Sequence, residues 1–197
     1  MPMGKRVLLI QGHPDASHAH FCHALADAYA AGAAEAGHEV RRVDVAKLDF
    51  PLLKSAAEWE HGPLPAGLRE PQAAIAWAEH IVLFFPLWLG DMPAVLKGFL
   101  EQVARPDFAF GGDGGNPFAH KKLAGRSARV VVTMGMPALV YRWYFRAHSV
   151  KSLERNILGF VGIAPVNETL IGMLGSAAKP TTDQWLARLR RLGRRAE

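Results

Sequence analysis

The chain has 197 residues, 50% hydrophobic and 21% charged, which suits one globular domain with a full core. No apolar run approaches the roughly 18–20 residues of a membrane span, and the single cysteine, Cys22, excludes an intrachain disulfide and zinc-finger spacing. Of the net charge of +5, the last twelve residues carry +4 through five arginines and one glutamate, which leaves the body no strongly basic groove for nucleic acid.

Arg6 to Ile10 (RVLLI) is a short apolar run closed by Gln-Gly, as expected of a strand buried on both faces. It is too short for a secretory signal, so a cytoplasmic location is expected. A histidine-rich stretch, Gly12 to His20, leads into an alanine-rich helix over Ala19–Ala36, with Gly37 as its stop. Glu39 to Val45 reads as a second strand near an edge. Leu48 to Pro71 holds four prolines and two glycines and reads as a long excursion. Pro71 opens a helix to Glu79.

His80 to Phe85 (HIVLFF) is the third strand, stopped by Pro86. Pro93 to Val103 is helical by the spacing of Val95, Leu96, Phe99, Leu100 and Val103. Asp107 to Lys122 is a glycine-rich loop carrying Phe108, Phe110 and Phe118. Ala128 to Met134 is the fourth strand, Tyr141 to Gly159 a helix and Val166 to Ile171 the fifth strand. Thr182 to Arg195 is the last helix, with Thr181 or Thr182 as N-cap. Strand alternates with helix throughout one domain, residues 1–197. The pattern predicts an α/β, flavodoxin-like, doubly wound parallel sheet of order 2-1-3-4-5. Its ligand belongs outside the carboxyl ends of strands 1, 3 and 4, where the chain reverses.

The three loops at that place carry the candidate site residues. After strand 1, a helix N-terminus with His13, Ser17, His18 and His20 suits a phosphate. Neither a Walker loop nor a GxGxxG fingerprint is present. A metal site from His13, His18, His20 and His23 is the rival, but it lacks a carboxylate-supported pattern such as HExxH, and no metal is assigned. After strand 3, Trp88 beside Gly90 offers a flat apolar wall. After strand 4, Gly135 can bring its backbone to a ring edge. Tyr141 and His148, seven apart, share one face if both are helical.

With GHPD, FFPLWLGDMPAVLKGFLEQV and the Thr133–Gly135 loop in view, the chain resembles the flavodoxin-like NAD(P)H quinone oxidoreductases from Val7 to about Ile171. The resemblance implies a non-covalently bound flavin, with chain length leaning to FAD over FMN. It places His13, His20, Phe21 and Cys22 at the flavin phosphates, where Ser17 of the same loop is a further candidate donor. Pro86, Leu87, Trp88, Leu89 and Gly90 would lie along the ring, with Thr133, Met134, Gly135 and Met136 at its other edge. Tyr141 and His148 resemble the pair that balances charge on the reduced flavin. NAD(P)H would pass hydride to flavin N5, leave, and be replaced by a quinone or similar aromatic acceptor.

The resemblance also implies a homodimer, for which Phe99–Phe110 and Trp143–Phe145 are candidate contacts. A flavin-binding electron carrier and a regulatory module acting on a partner protein are the alternatives. In the mammalian branch an Asn is usual where Cys22 stands, and tyrosines close over the substrate where this chain has Phe110-Gly-Gly-Asp-Gly-Gly. The acceptor lid therefore differs.

Overall fold

In the computed structural model, residues 4–111, 120–173 and 179–197 are described, those at 179 and 180 by backbone alone. Phe118, most of the glycine-rich stretch and the middle of segment 173–183 lie outside the described residues. Five strands form one sheet: β1 (Arg6–Gln11), β2 (Glu39–Asp44), β3 (His80–Pro86), β4 (Ser127–Thr133) and β5 (Val166–Ile171). All pairings are parallel and the order is β2-β1-β3-β4-β5, as the alternation predicts. The register sets Gln11 opposite Phe84, Pro86 opposite Thr133 and Thr133 opposite Ile171, so the carboxyl ends finish together.

Successive strand residues point to opposite faces, which divides the core. Leu8, Ile10, Leu83, Phe85, Val130 and Val132 pack beneath α3 (Arg69–Trp77), α4 (Ala94–Val103) and the helical segments after residue 147. Val7, Leu9, Val82, Phe84 and Val131 pack beneath α1 (Phe21–Glu35) and α8 (Lys179–Arg195). Every residue of β3 is buried, which is why HIVLFF reads as an unbroken apolar run. Edge strand β2 buries only Val43 fully.

Helices α1 and α8 meet backbone to backbone. A Cβ on Gly32 would stand 1.9 Å from the Arg190 carbonyl oxygen, and one on Gly193 2.0 Å from that of Tyr29. Only glycine fits either place. Part of the C-terminal arginine charge is spent at the same seam, because Arg190 and Arg194 both pair with Glu35. Arg188 lies over the Trp185 ring.

Several elements depart from expectation. The excursion after β2 contains α2 (Ala56–His61), capped by Ser55 Oγ, which accepts from the Glu58 amide at 3.1 Å. Helix α3 begins at Arg69, ahead of Pro71, after a 3₁₀ turn at Ala66–Leu68. Helix α8 is described from Lys179, so Thr181 and Thr182 lie inside it and neither is its N-cap. The expected helix over Tyr141–Gly159 is broken. Helix α5 (Ala138–Trp143) ends, Arg146 and Ala147 turn left-handed at φ 53° and 49°, and α6 (His148–Ser152) restarts. A π-helical segment, Leu153–Leu158, and α7 (Gly159–Val161) complete it. Phe99 and Phe110 are buried core residues, whereas Trp143, Tyr144 and Phe145 are exposed. Among the described residues, no helix is long and apolar enough to cross a membrane.

Candidate functional site

The loop after β1 is organised by Gln11 and Asp15. Buried Gln11 accepts from the His13 amide at 3.0 Å and donates to the Cys22 carbonyl at 3.2 Å, tying the loop to the first turn of α1. His13 Nδ1 lies 3.1 Å from the Asp15 amide and 3.2 Å from the Asp15 carbonyl, so it accepts from the one or donates to the other according to the ring's tautomer. Burial and the neighbouring His20 hold His13 below its ordinary pKa, which favours the neutral ring.

Asp15 Oδ1 accepts from the Ser17 amide at 2.8 Å and the Ser17 hydroxyl at 2.6 Å, and Oδ2 lies 3.0 Å from His20 Nε2. These contacts, the Ser17 hydroxyl first, hold the Asp15 carboxyl well below the usual carboxylate range. His20 is the N-cap of α1, and its amide donates to His23 Nδ1 at 3.2 Å. The first turn of α1 carries no acidic residue, so its positive end is left for an anion. Phe21 and Cys22 begin that turn. Cys22 is buried, and desolvation pushes its thiol up to about 12 despite hydrogen bonds to Thr133 and Gln11. It is an inert packing residue that links the first loop to β4.

The loop after β3 has the opposite character. Pro86 is buried at the strand end, and the Leu87 amide donates to the Thr133 carbonyl at 2.8 Å, extending the ladder by one step. Trp88 and Asp91 then exchange backbone hydrogen bonds of 2.9 and 3.0 Å around a two-residue turn. Both central residues have positive φ, Leu89 at 47° and Gly90 at 83°, as a type I′ turn requires. Glycine adopts that conformation freely, whereas leucine does so at a cost of about 1–2 kcal/mol. The turn stands out from the body, with Trp88 half exposed and Leu89 fully so. The Trp88 ring meets His13 edge-on, centroids 6.1 Å apart, which joins the apolar turn to the polar loop.

After β4, Thr133 and Met134 are buried and Gly135 is exposed. A Cβ on Gly135 would meet nothing within 4 Å, so the backbone there lies open to an approaching ring. The Met136 carbonyl accepts from the Met173 amide at 3.1 Å, which fastens this loop to the end of β5.

Tyr141 and His148 do not share a helix face, because the break at 146–147 separates them. Buried Tyr141 places its hydroxyl 2.6 Å from Ser149 Oγ and accepts from the Val150 amide at 3.4 Å, while His148 is exposed at the start of α6. Ser149 and Asp15 are the residues that sequence reading missed. No spacing signals Ser149. Asp15 stood in the GHPD segment, yet only the turn shows it holding Ser17 and His20.

A cavity of about 530 Å³ lies elsewhere. It is walled by Trp59, Phe110 and Phe160, on the flank of α4 under α2, and its lining takes no residue from the three loops. The switch-point geometry is the better guide to chemistry, because there three strand ends and a helix N-terminus converge.

A doubly wound parallel sheet with such a crevice defines a class of ligand-binding α/β proteins. Within that class the chain belongs to the flavodoxin-like fold family Flavodoxin_2, which it matches over residues 5–192. It is 29% identical over 126 residues to a ribosyldihydronicotinamide dehydrogenase-like protein of Penicillium crustosum, a match covering 51% of this chain and 47% of that protein. The chain thus matches about half the length of that relative. It is 29% identical over 147 residues to FMN-dependent NADH:quinone oxidoreductase 9 of Burkholderia lata, covering 66% of this chain and 68% of that one. Among solved structures it resembles the NAD(P)H:quinone oxidoreductase of Methanothermobacter marburgensis, at 25% identity and TM-score 0.79, covering 97% and 96% of the two chains.

Proposed function

We propose that this chain is a single-domain flavoprotein, residues 1–197, that oxidises NAD(P)H and reduces a quinone or similar aromatic acceptor. The observation that carries the reading is the convergence, at one switch point, of a helix N-terminus with no acidic residue in its first turn and an exposed aromatic turn. A flavin has the matching two ends, an anionic phosphate and a flat apolar ring. We favour FMN over FAD, since the Burkholderia lata relative is named FMN-dependent.

His13, Ser17, His20 and the amides of Phe21 and Cys22 would hold the phosphate. Pro86, Leu87, Trp88, Leu89 and Gly90 would wall the ring, and Thr133, Met134, Gly135 and Met136 would meet its far edge. Bound flavin supplies the capacity to take hydride from a nicotinamide and hand two electrons to the acceptor. The chain's share is orientation and exclusion of water. Trp88 and Leu89 shape the side on which both co-substrates stack in turn, and holding two flat rings parallel is where most of the rate gain arises. His148, exposed at the start of α6, would be the polar group that balances charge on the reduced ring. Tyr141 acts behind it through Ser149 as a positioning residue.

The exposed run Leu139, Val140, Trp143, Tyr144 and Phe145 is the surface we assign to a homodimer contact. The test is anaerobic: protein reconstituted with FMN is mixed with NADPH or NADH, then with a quinone. Bleaching of the flavin band, followed by its return with the quinone, is the expected result. A flavin band that neither nicotinamide bleaches would favour the electron carrier or the regulatory module instead.

A further inference from the structure

Four imidazoles crowd the loop after β1, more than an anion cradle needs. His13 and His20 stack with centroids 3.7 Å apart, and His18 and His20 lie 4.1 Å apart. Rings packed this closely repel one another once protonated, whereas their lone pairs can converge on a shared cation. The carboxylate that the sequence pattern lacked is supplied by the turn. Asp15 Oδ2 lies 3.4 Å from His18 Nδ1 and 3.0 Å from His20 Nε2. All three donor atoms fall within 4.8 Å of one another.

A tetrahedral cation with bonds near 2.0–2.1 Å needs donors about 3.3 Å apart, close to the 3.4 and 3.0 Å separations, and on binding it would displace the protons that now link His18 Nδ1 to the Ser17 hydroxyl at 2.9 Å and His20 Nε2 to Asp15. The carboxylate is also aimed. Ser17 occupies Oδ1 with two hydrogen bonds, of 2.8 and 2.6 Å, which turns Oδ2 toward the imidazoles. His20 is braced from behind by the stacked ring of His13. Such outer contacts are what orient ligands at metal sites.

We propose that Asp15, His18 and His20 form a binding site for a divalent transition cation of the zinc class. Two imidazole nitrogens and one carboxylate oxygen are its protein ligands, and the remaining position is open to water or an anion. Two nitrogen donors select against magnesium and calcium, which take oxygen. The site shares His20 with the phosphate cradle proposed above, so it is tested on flavin-free protein, where its three protein ligands are read without the flavin.

The test uses the full chain, freed of flavin and stripped with chelator, at pH 7.5. Zinc is titrated calorimetrically, and cobalt(II) is followed by its visible bands. We expect one equivalent per chain at micromolar or tighter dissociation constant, with tetrahedral cobalt bands. His18→Ala and Asp15→Asn should each weaken zinc at least tenfold, while His61→Ala, on exposed α2, should change it less than twofold. The His18 side chain is 65% exposed, so its removal leaves folding intact, and circular dichroism checks this. Less than one equivalent bound, or equal affinity in all three variants, would overturn the site. Failure of flavin binding would leave either result unchanged.

Discussion

The loops after β1 and β3 flank the same crevice and are built on opposite principles. The first closes its polar groups on one another: Gln11 on His13 and Cys22, Asp15 on Ser17 and His20. The second leaves apolar surface in water, on a turn that forces a leucine into a left-handed conformation. A pre-ordered polar loop suits a ligand group of fixed charge and shape, whereas exposed apolar surface on a strained turn suits rings that come and go. Under the function proposed here, the contrast fits a phosphate at one loop and exchanging co-substrates at the other.

The largest effect expected lies outside both loops and sets the range in which they can be compared. His80, at the start of β3, is 1% exposed, and burial lowers its pKa from 6.5 to about 4. A base with a depressed folded pKa stabilises the fold above 6.5 and loses that contribution as pH falls toward 4. The drop from 6.5 to about 4 corresponds to about 3 kcal/mol. Urea melts at pH 7.5 and 4.5 should show most of this loss, and His80→Gln should remove the pH-dependent part. Loop variants should therefore be compared above pH 6.5.

Trp88→Ala tests the apolar turn. Ring stacking contributes about 2 kcal/mol, so turnover efficiency with a quinone should fall about thirtyfold. Stability should stay within about 0.5 kcal/mol, since the side chain is half exposed. Asp15→Asn tests the polar loop. It loosens Ser17 and His20, and should weaken FMN about tenfold by fluorescence titration while riboflavin binding holds. The smallest effect is on the strained turn itself. Leu89→Gly relieves the left-handed leucine but adds freedom to the unfolded chain, for a net gain of about 0.5 kcal/mol and a rise in Tm of roughly 1–2 °C. Differential scanning calorimetry should show that rise, and the quinone KM should increase as apolar wall is lost.

The sheet was legible because strands buried on both faces leave unbroken apolar runs, as in RVLLI and HIVLFF, and alternation with helices orders them. The three loops followed from that order. What stayed hidden depends on three-dimensional turns. Helix α2 is masked by Pro51, Pro63 and Pro65, although Ser55 and Glu58 carry the spacing of a capping box. The break at Arg146 and Ala147 falls in residues of good helix propensity, so nothing local announces it. Tyr141 and His148 were paired by spacing that holds only if the helix is continuous. Glycines 32 and 193 lie inside helices, where glycine lowers stability, and the close meeting of α1 with α8 explains them.

The central claim is that one loop grips a phosphate while the other walls a ring, and equilibrium titration of the flavin-free protein with FMN and with riboflavin tests it most directly. The two ligands share the ring and differ by the phosphate. The account predicts that FMN binds at least a hundredfold more tightly, that Asp15→Asn narrows the gap, and that Trp88→Ala weakens both ligands equally. Equal affinity for FMN and riboflavin, or no binding of either, would contradict it.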